Sequence, residues 1–238
     1  MTRRLAMAAL LSATLTAAPA LATPFGGDDG TANVPADAGA LKYEGKVGIL
    51  LAKFQKCVLK CHVSRAALKF PDDVNGDTNE DNCEAVCQTK YDTKASGLGT
   101  PPDGASCVNT ISIRQLWVGI LDAQSSQVFC DGTTPVAPGD DTLKIPDDPV
   151  VLTCEKKLAS IVAKLLKCQA KCHLSRAKGK IADETGEESC EDDTCVTAKY
   201  NAATAKLVGC PGCLDFATLA SNTLANGDNN AGFVYCAP

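Results

Sequence analysis

Ala52-Lys53-Phe54-Gln55-Lys56-Cys57-Val58-Leu59-Lys60-Cys61-His62-Val63-Ser64-Arg65-Ala66 recurs 111 residues later as Ala163-Lys164-Leu165-Leu166-Lys167-Cys168-Gln169-Ala170-Lys171-Cys172-His173-Leu174-Ser175-Arg176-Ala177. Shared spacing of lysines, cysteines, histidine, serine and arginine marks a duplication. Farther along, Cys83 and Cys87 answer to Cys190 and Cys195, Lys90-Tyr91 to Lys199-Tyr200, and the pair Cys107/Cys130 to Cys213/Cys236 with the same internal spacing. A whole module has been copied. Repeat 1 spans 42–130 and repeat 2 spans 151–238, with linkers rich in Pro, Gly, Asp and Thr at 23–41 and 131–150.

Cys154, Leu158, Ile161, Leu165, Cys168 and Cys172 fall four, three, four, three and four apart, which is one face of an α-helix. Tyr43, Val47, Leu50, Phe54, Cys57 and Cys61 repeat that stripe in the first copy. Pro71 and the acidic stretch 72–81 end the helix, and Cys83 and Cys87 begin a second. Ile113, Leu116, Trp117, Ile120 and Leu121, with Phe216, Leu219, Ala220 and Leu224 in copy two, mark a third. The predicted fold is all-α: two tandem disulfide-stapled modules, each a helical hairpin plus a third helix.

Arg3-Arg4, an uncharged apolar run to Leu21 and the small-residue site Ala20-Leu21-Ala22 read as a signal peptide over 1–22. No later apolar run approaches the roughly 20 residues of a membrane span. All fourteen cysteines follow the signal, and export to a periplasm or the extracellular space places them where disulfides persist. Without Arg3 and Arg4, 21 basic residues face 28 acidic ones, a net charge of −7 that excludes nucleic acid as a partner. Aromatic residues are only 5% of the chain, so the core is thin and cross-links must supply much of the stability. The first helices are lysine-rich (Lys53, Lys56, Lys60; Lys164, Lys167, Lys171). The turns and second arms are acidic (Asp72, Asp73, Asp77; Glu187, Glu188, Glu191). Neutralisation within each hairpin is expected, a binding face being the other reading.

Two antiparallel helices that each carry Cys-x3-Cys close by two bridges, which predicts Cys57–Cys87 and Cys61–Cys83, with Cys168–Cys195 and Cys172–Cys190 in the second copy. The second arm there is Cys-x4-Cys, whose extra residue turns one cysteine about 100° off the face of an α-helix. Cys154 and Cys210 lack counterparts and are expected to pair together; Cys107–Cys130 and Cys213–Cys236 complete the set. The hairpin half of each module resembles the α-hairpinin scaffold, which implies the doubly bridged hairpin and no particular function.

Cys57-x3-Cys61-His62 and Cys168-x3-Cys172-His173 contain the chain's only histidines. They resemble, with one extra residue, the c-type cytochrome motif, which implies thioethers from Cys57, Cys61, Cys168 and Cys172 and iron ligation by His62 and His173. Both methionines lie in the signal, which removes the ordinary sixth ligand. A histidine packed beside a disulfide or at the surface is the preferred expectation, and a metal-binding role is the remaining one. The stretch 73–84 resembles an EF-hand or dockerin loop, implying calcium on Asp73, Asn75, Asp77, Asp81 and Glu84, although Thr78 stands where that loop needs Gly. Cys210-Pro211-Gly212-Cys213 has the form of a thiol–disulfide oxidoreductase motif, but Cys213 aligns with the structural Cys107. No catalytic triad is indicated.

The leading expectation is a non-enzymatic exported module without cofactor, which binds a protein or surface partner or builds an envelope. The alternative is a two-haem c-type cytochrome in electron transfer or haem sensing. A third reading is a calcium-binding adhesion module.

Overall fold

The computed structural model describes residues 37–70, 78–133 and 142–236. The predicted signal segment, the predicted linker up to residue 36 and Asp73, Asn75 and Asp77 of the predicted calcium loop lie outside the described residues, as does 134–141 of the second predicted linker. Among the described residues the chain is all helical, without β-strands; Thr133 and Ile145 form one isolated bridge.

Helix α1 spans Ala38–Ala66, reaching back into the segment expected to be linker because Asp37 accepts from the N–H groups of Gly39 and Ala40 and caps it. Helix α2 is Thr78–Ser96, and α3 is Thr110–Val128, capped by Asn109. In the second copy α4 is Pro149–Ala177, with Asp148 as its cap and Pro149 at the first helical position. The next arm, α5, starts as Glu184–Ser189, continues as a π-helix over Cys190–Asn201 and closes with Ala202–Thr204. Helix α6 is Phe216–Ala231.

The π-helix resolves the spacing problem in the second arm. Cys83, Cys87 and Tyr91 step by four along α2, while Cys190, Cys195 and Tyr200 step by five. Hydrogen bonding from i to i+5 returns residues five apart to one face, so Cys195 and Tyr200 are as buried as Cys87 and Tyr91. The hairpin bridges are Cys57–Cys87 and Cys61–Cys83, then Cys168–Cys195 and Cys172–Cys190, and Cys154 joins Cys210.

The remaining four cysteines correct the sequence expectation. Cys107 bonds Cys236 and Cys130 bonds Cys213, instead of Cys107–Cys130 and Cys213–Cys236. The two helical copies share one core, in which α1 packs extensively on α4, and this brings the tail of each copy to the other. The same exchange appears in hydrogen bonds. Buried Glu44 accepts the N–H of Cys236, and its counterpart Glu155 accepts the N–H of Cys130. Each copy therefore offers the other the same surface, the reciprocity of a two-fold dimer built within one chain.

In the third helices Ile113, Trp117, Leu121, Leu219 and Ala220 are buried, whereas Leu116 is exposed.

Candidate metal centres

His62 directly follows Cys61 on α1, and its ring is completely buried. Its Nε2 atom faces three carboxylates: Glu80 Oε1 at 3.2 Å, Glu84 Oε1 at 3.1 Å and Asp122 Oδ1 at 3.2 Å. Glu80 and Glu84 are four residues apart on one face of α2, and Asp122 comes from α3. Because Cys61 precedes His62 and Cys83 precedes Glu84, the Cys61–Cys83 bridge holds ring and carboxylates together. Arg65, one turn beyond His62, donates from Nη1 to Glu80 Oε2 at 2.9 Å and orients that carboxylate.

The second copy rebuilds the cage. His173 Nε2 lies 3.5 Å from Glu187 Oε1, 3.0 Å from Glu191 Oε1 and 3.0 Å from Asp228 Oδ1. Arg176 donates to Glu187 Oε2 at 2.6 Å and also pairs with Glu184. His62, Glu80 and Glu84 bring their ligand atoms within 4.8 Å of one another, as do His173, Glu191 and Asp228.

One Nε2 carries either one proton or one lone pair, so it cannot satisfy three carboxylates. Burial pushes the His62 imidazole toward neutrality, but the hydrogen bonds to Asp122 and Glu84 and the charge of Glu80 prevail and raise its pKa to about 10. His173 is raised to about 10 in the same way, with burial opposed by Asp228 and Glu191. Burial also lifts Glu191 to about 7, against the pull of His173. A cation can replace that proton. With a neutral ring, three carboxylates and one arginine leave two uncompensated negative charges, the complement of a divalent ion. Ligand atoms around an ion held at about 2.0–2.2 Å stand roughly 3–3.5 Å apart, which is the distance from each Nε2 to its three carboxylates, while mutual spacing within 4.8 Å holds for His62, Glu80 and Glu84 and for His173, Glu191 and Asp228.

The second cage carries an amide that the first lacks. Gln169, where the first copy has Val58, places its two-hydrogen Nε2 within reach of three acceptors, the Leu224 carbonyl at 2.7 Å, Asp228 Oδ1 at 2.8 Å and Glu191 Oε2 at 3.1 Å. Gly227 makes this possible, since a Cβ there would collide with the Gln169 amide. The second cage is also more open: the Asp228 side chain is 20% exposed, against 8% for Asp122.

The hairpin cysteines and the two histidines lie where the preferred expectation put them, each histidine buried beside a disulfide, while other residues singled out by sequence do not. Cys57, Cys61, Cys168 and Cys172 are all in disulfides, which leaves no thiol for a haem thioether. Neither histidine is at the surface. In the proposed calcium loop Glu84 turns inward to His62 while Asp81 is exposed, so these two do not converge. Cys210 and Cys213 bond different partners and form no redox pair. Glu187 and Glu191 face His173 rather than the lysines. The missed carboxylates carry a readable signal: Glu80-x2-Cys83-Glu84 matches Glu187-x2-Cys190-Glu191, and Asp122 and Asp228 each stand eight residues before a matched cysteine.

Comparison with protein-family models, curated proteins and solved structures finds no match for this chain.

Proposed function

We propose that the chain is an exported, non-enzymatic binding protein for divalent transition-metal ions, with one site on His62, Glu80, Glu84 and Asp122 and a second on His173, Glu187, Glu191 and Asp228. The observation that carries this reading is the convergence of three carboxylates on a single buried Nε2, built twice from matched residues. An imidazole with carboxylates suits Zn²⁺ or Mn²⁺; Ca²⁺ prefers six to eight oxygens. Four protein ligands in a buried cage close the ion's coordination, which favours holding it over activating water. Seven disulfides support an oxidising compartment, periplasmic or extracellular, and no described helix is long and apolar enough to cross a membrane.

A second reading makes both clusters ion-pair knots that serve stability alone. Gln169 favours it at the second cage, because its amide donates to Asp228 without a cation.

Calorimetry and elemental analysis of chelator-stripped protein titrated with Zn²⁺, Mn²⁺ and Ca²⁺ decide between them. Two equivalents of Zn²⁺ or Mn²⁺ are expected, the tighter at the first cage, falling to one in His62→Gln. Unfolding should be stabilised by about 2.7 kcal/mol for each site at which free ion is a hundredfold above the dissociation constant. No stoichiometric uptake together with melting unmoved by chelator would leave only the ion-pair knots. A Soret band with added haem mass would reject both.

A further inference from the structure

We propose that the groove between α1 and α4 binds a single-chain amphiphile with an anionic head, of the long-chain carboxylate class. This groove contains none of the proposed metal ligands, although Tyr235 in its lining meets the His173 ring edge-on, and it encloses about 450 Å³. Ile49 and Leu174 line it, and Lys53, Lys56, Lys167 and Lys171 surround it. Ile49 is 50% exposed, an unusual state for a large apolar side chain in a protein with so thin a core. The recess depends on Gly45, where a Cβ would come within 2.9 Å of Leu174 Cδ1.

The charge around this slot selects the head group. The chain as a whole is acidic, yet four lysines gather here, and among the described residues none of them is in an ion pair. Neutralisation by the acidic arms, the sequence expectation, is not what surrounds them. Lysine stems extend an apolar wall and carry their ammonium groups to its edge. An acyl chain against Ile49 and Leu174 with a carboxylate among the ammonium groups matches both chemistries. Lys56 and Lys167 are equivalent residues of the two copies, so the slot exists only where the copies meet.

Titration calorimetry of the full chain with dodecanoate, dodecanol, butyrate and inorganic phosphate, each below its aggregation concentration, tests this. Dodecanoate should bind once per chain, with the other three at least about tenfold weaker. Lys53→Glu/Lys167→Glu and Ile49→Glu should each weaken dodecanoate at least about tenfold while leaving the melting temperature unchanged. Equal affinity for dodecanol, equal binding by the variants, or absence of binding would overturn the proposal. So would binding only to phosphatidylglycerol vesicles, which would indicate a membrane surface instead. Chelator-treated protein should give the same result, so the outcome is independent of the metal reading.

Discussion

Glu44 and Glu155 hold equivalent places near the starts of α1 and α4, each buried and each accepting a backbone N–H from the tail of the other copy. Burial raises Glu44 to about 7; the Cys236 N–H opposes the rise and the charge of Asp37 adds to it. Burial raises Glu155 to about 7 as well, against the N–H groups of Cys130 and Asp131. In the unfolded chain both return to the ordinary carboxylate value of about 4.5. Because the folded value is the higher one, their contribution to stability is complete below pH 4.5 and is lost as pH rises through 7. Glu44→Gln/Glu155→Gln retains an acceptor oxygen and removes the ionisation. Urea unfolding at pH 4.5 and pH 8 should show a smaller loss of stability in the double variant than in wild type, by about 1 kcal/mol per site after allowance for solvent screening.

The long arm α5 shows how an element absorbs inserted residues without losing its contacts. Relative to α2 it carries one extra residue between its cysteines and one more before Tyr200. The π-helix over Cys190–Asn201 accommodates both, at the expense of weaker hydrogen-bond geometry. Deleting Thr194 alone turns Tyr200 about 100° off the buried face and should lower the melting temperature. Deleting both Thr194 and Thr197 restores four-residue steps, so the melting temperature should return at least to the wild-type value with all seven bridges intact by non-reducing peptide mapping. Periodicity alone placed the helices and the hairpin cysteines, since Cys57, Cys61, Cys83 and Cys87 lie on the same faces as the apolar residues. It treated the Cys190–Cys195 spacing as an α-helical defect, because a 3.6-residue period has no place for a step of five. The cages escaped for another reason. Glu80, Glu84 and Asp122 come from two helices, and only the folded hairpin with α3 shows that they converge on His62.

At the scale of the molecule the two copies behave as partners rather than beads on a string. Identical spacing of Cys107/Cys130 and Cys213/Cys236 makes pairing within a copy and exchange between copies indistinguishable in sequence. Four cysteines allow three pairings, and only the packing of α1 on α4 selects one. A protease site inserted after Ala137 gives a direct check. After cleavage the halves should remain one covalent species on non-reducing electrophoresis and separate on reduction. Separation before reduction would mean that each tail is bonded within its own copy. Loss of either exchanged bridge should cost about 2–5 kcal/mol, the range for native disulfides in small exported domains.

The exchanged bridges also impose an order on biogenesis. In a chain delivered N-terminus first, Cys107 has Cys130 within reach before Cys236, its native partner 129 residues along the chain. The hairpin bridges of the first copy can close at once, whereas a Cys107–Cys130 bond closed before the second copy is present is non-native and needs thiol–disulfide exchange to resolve it. Reduced, unfolded protein should therefore recover its seven bridges faster with a disulfide isomerase present than with oxidant alone.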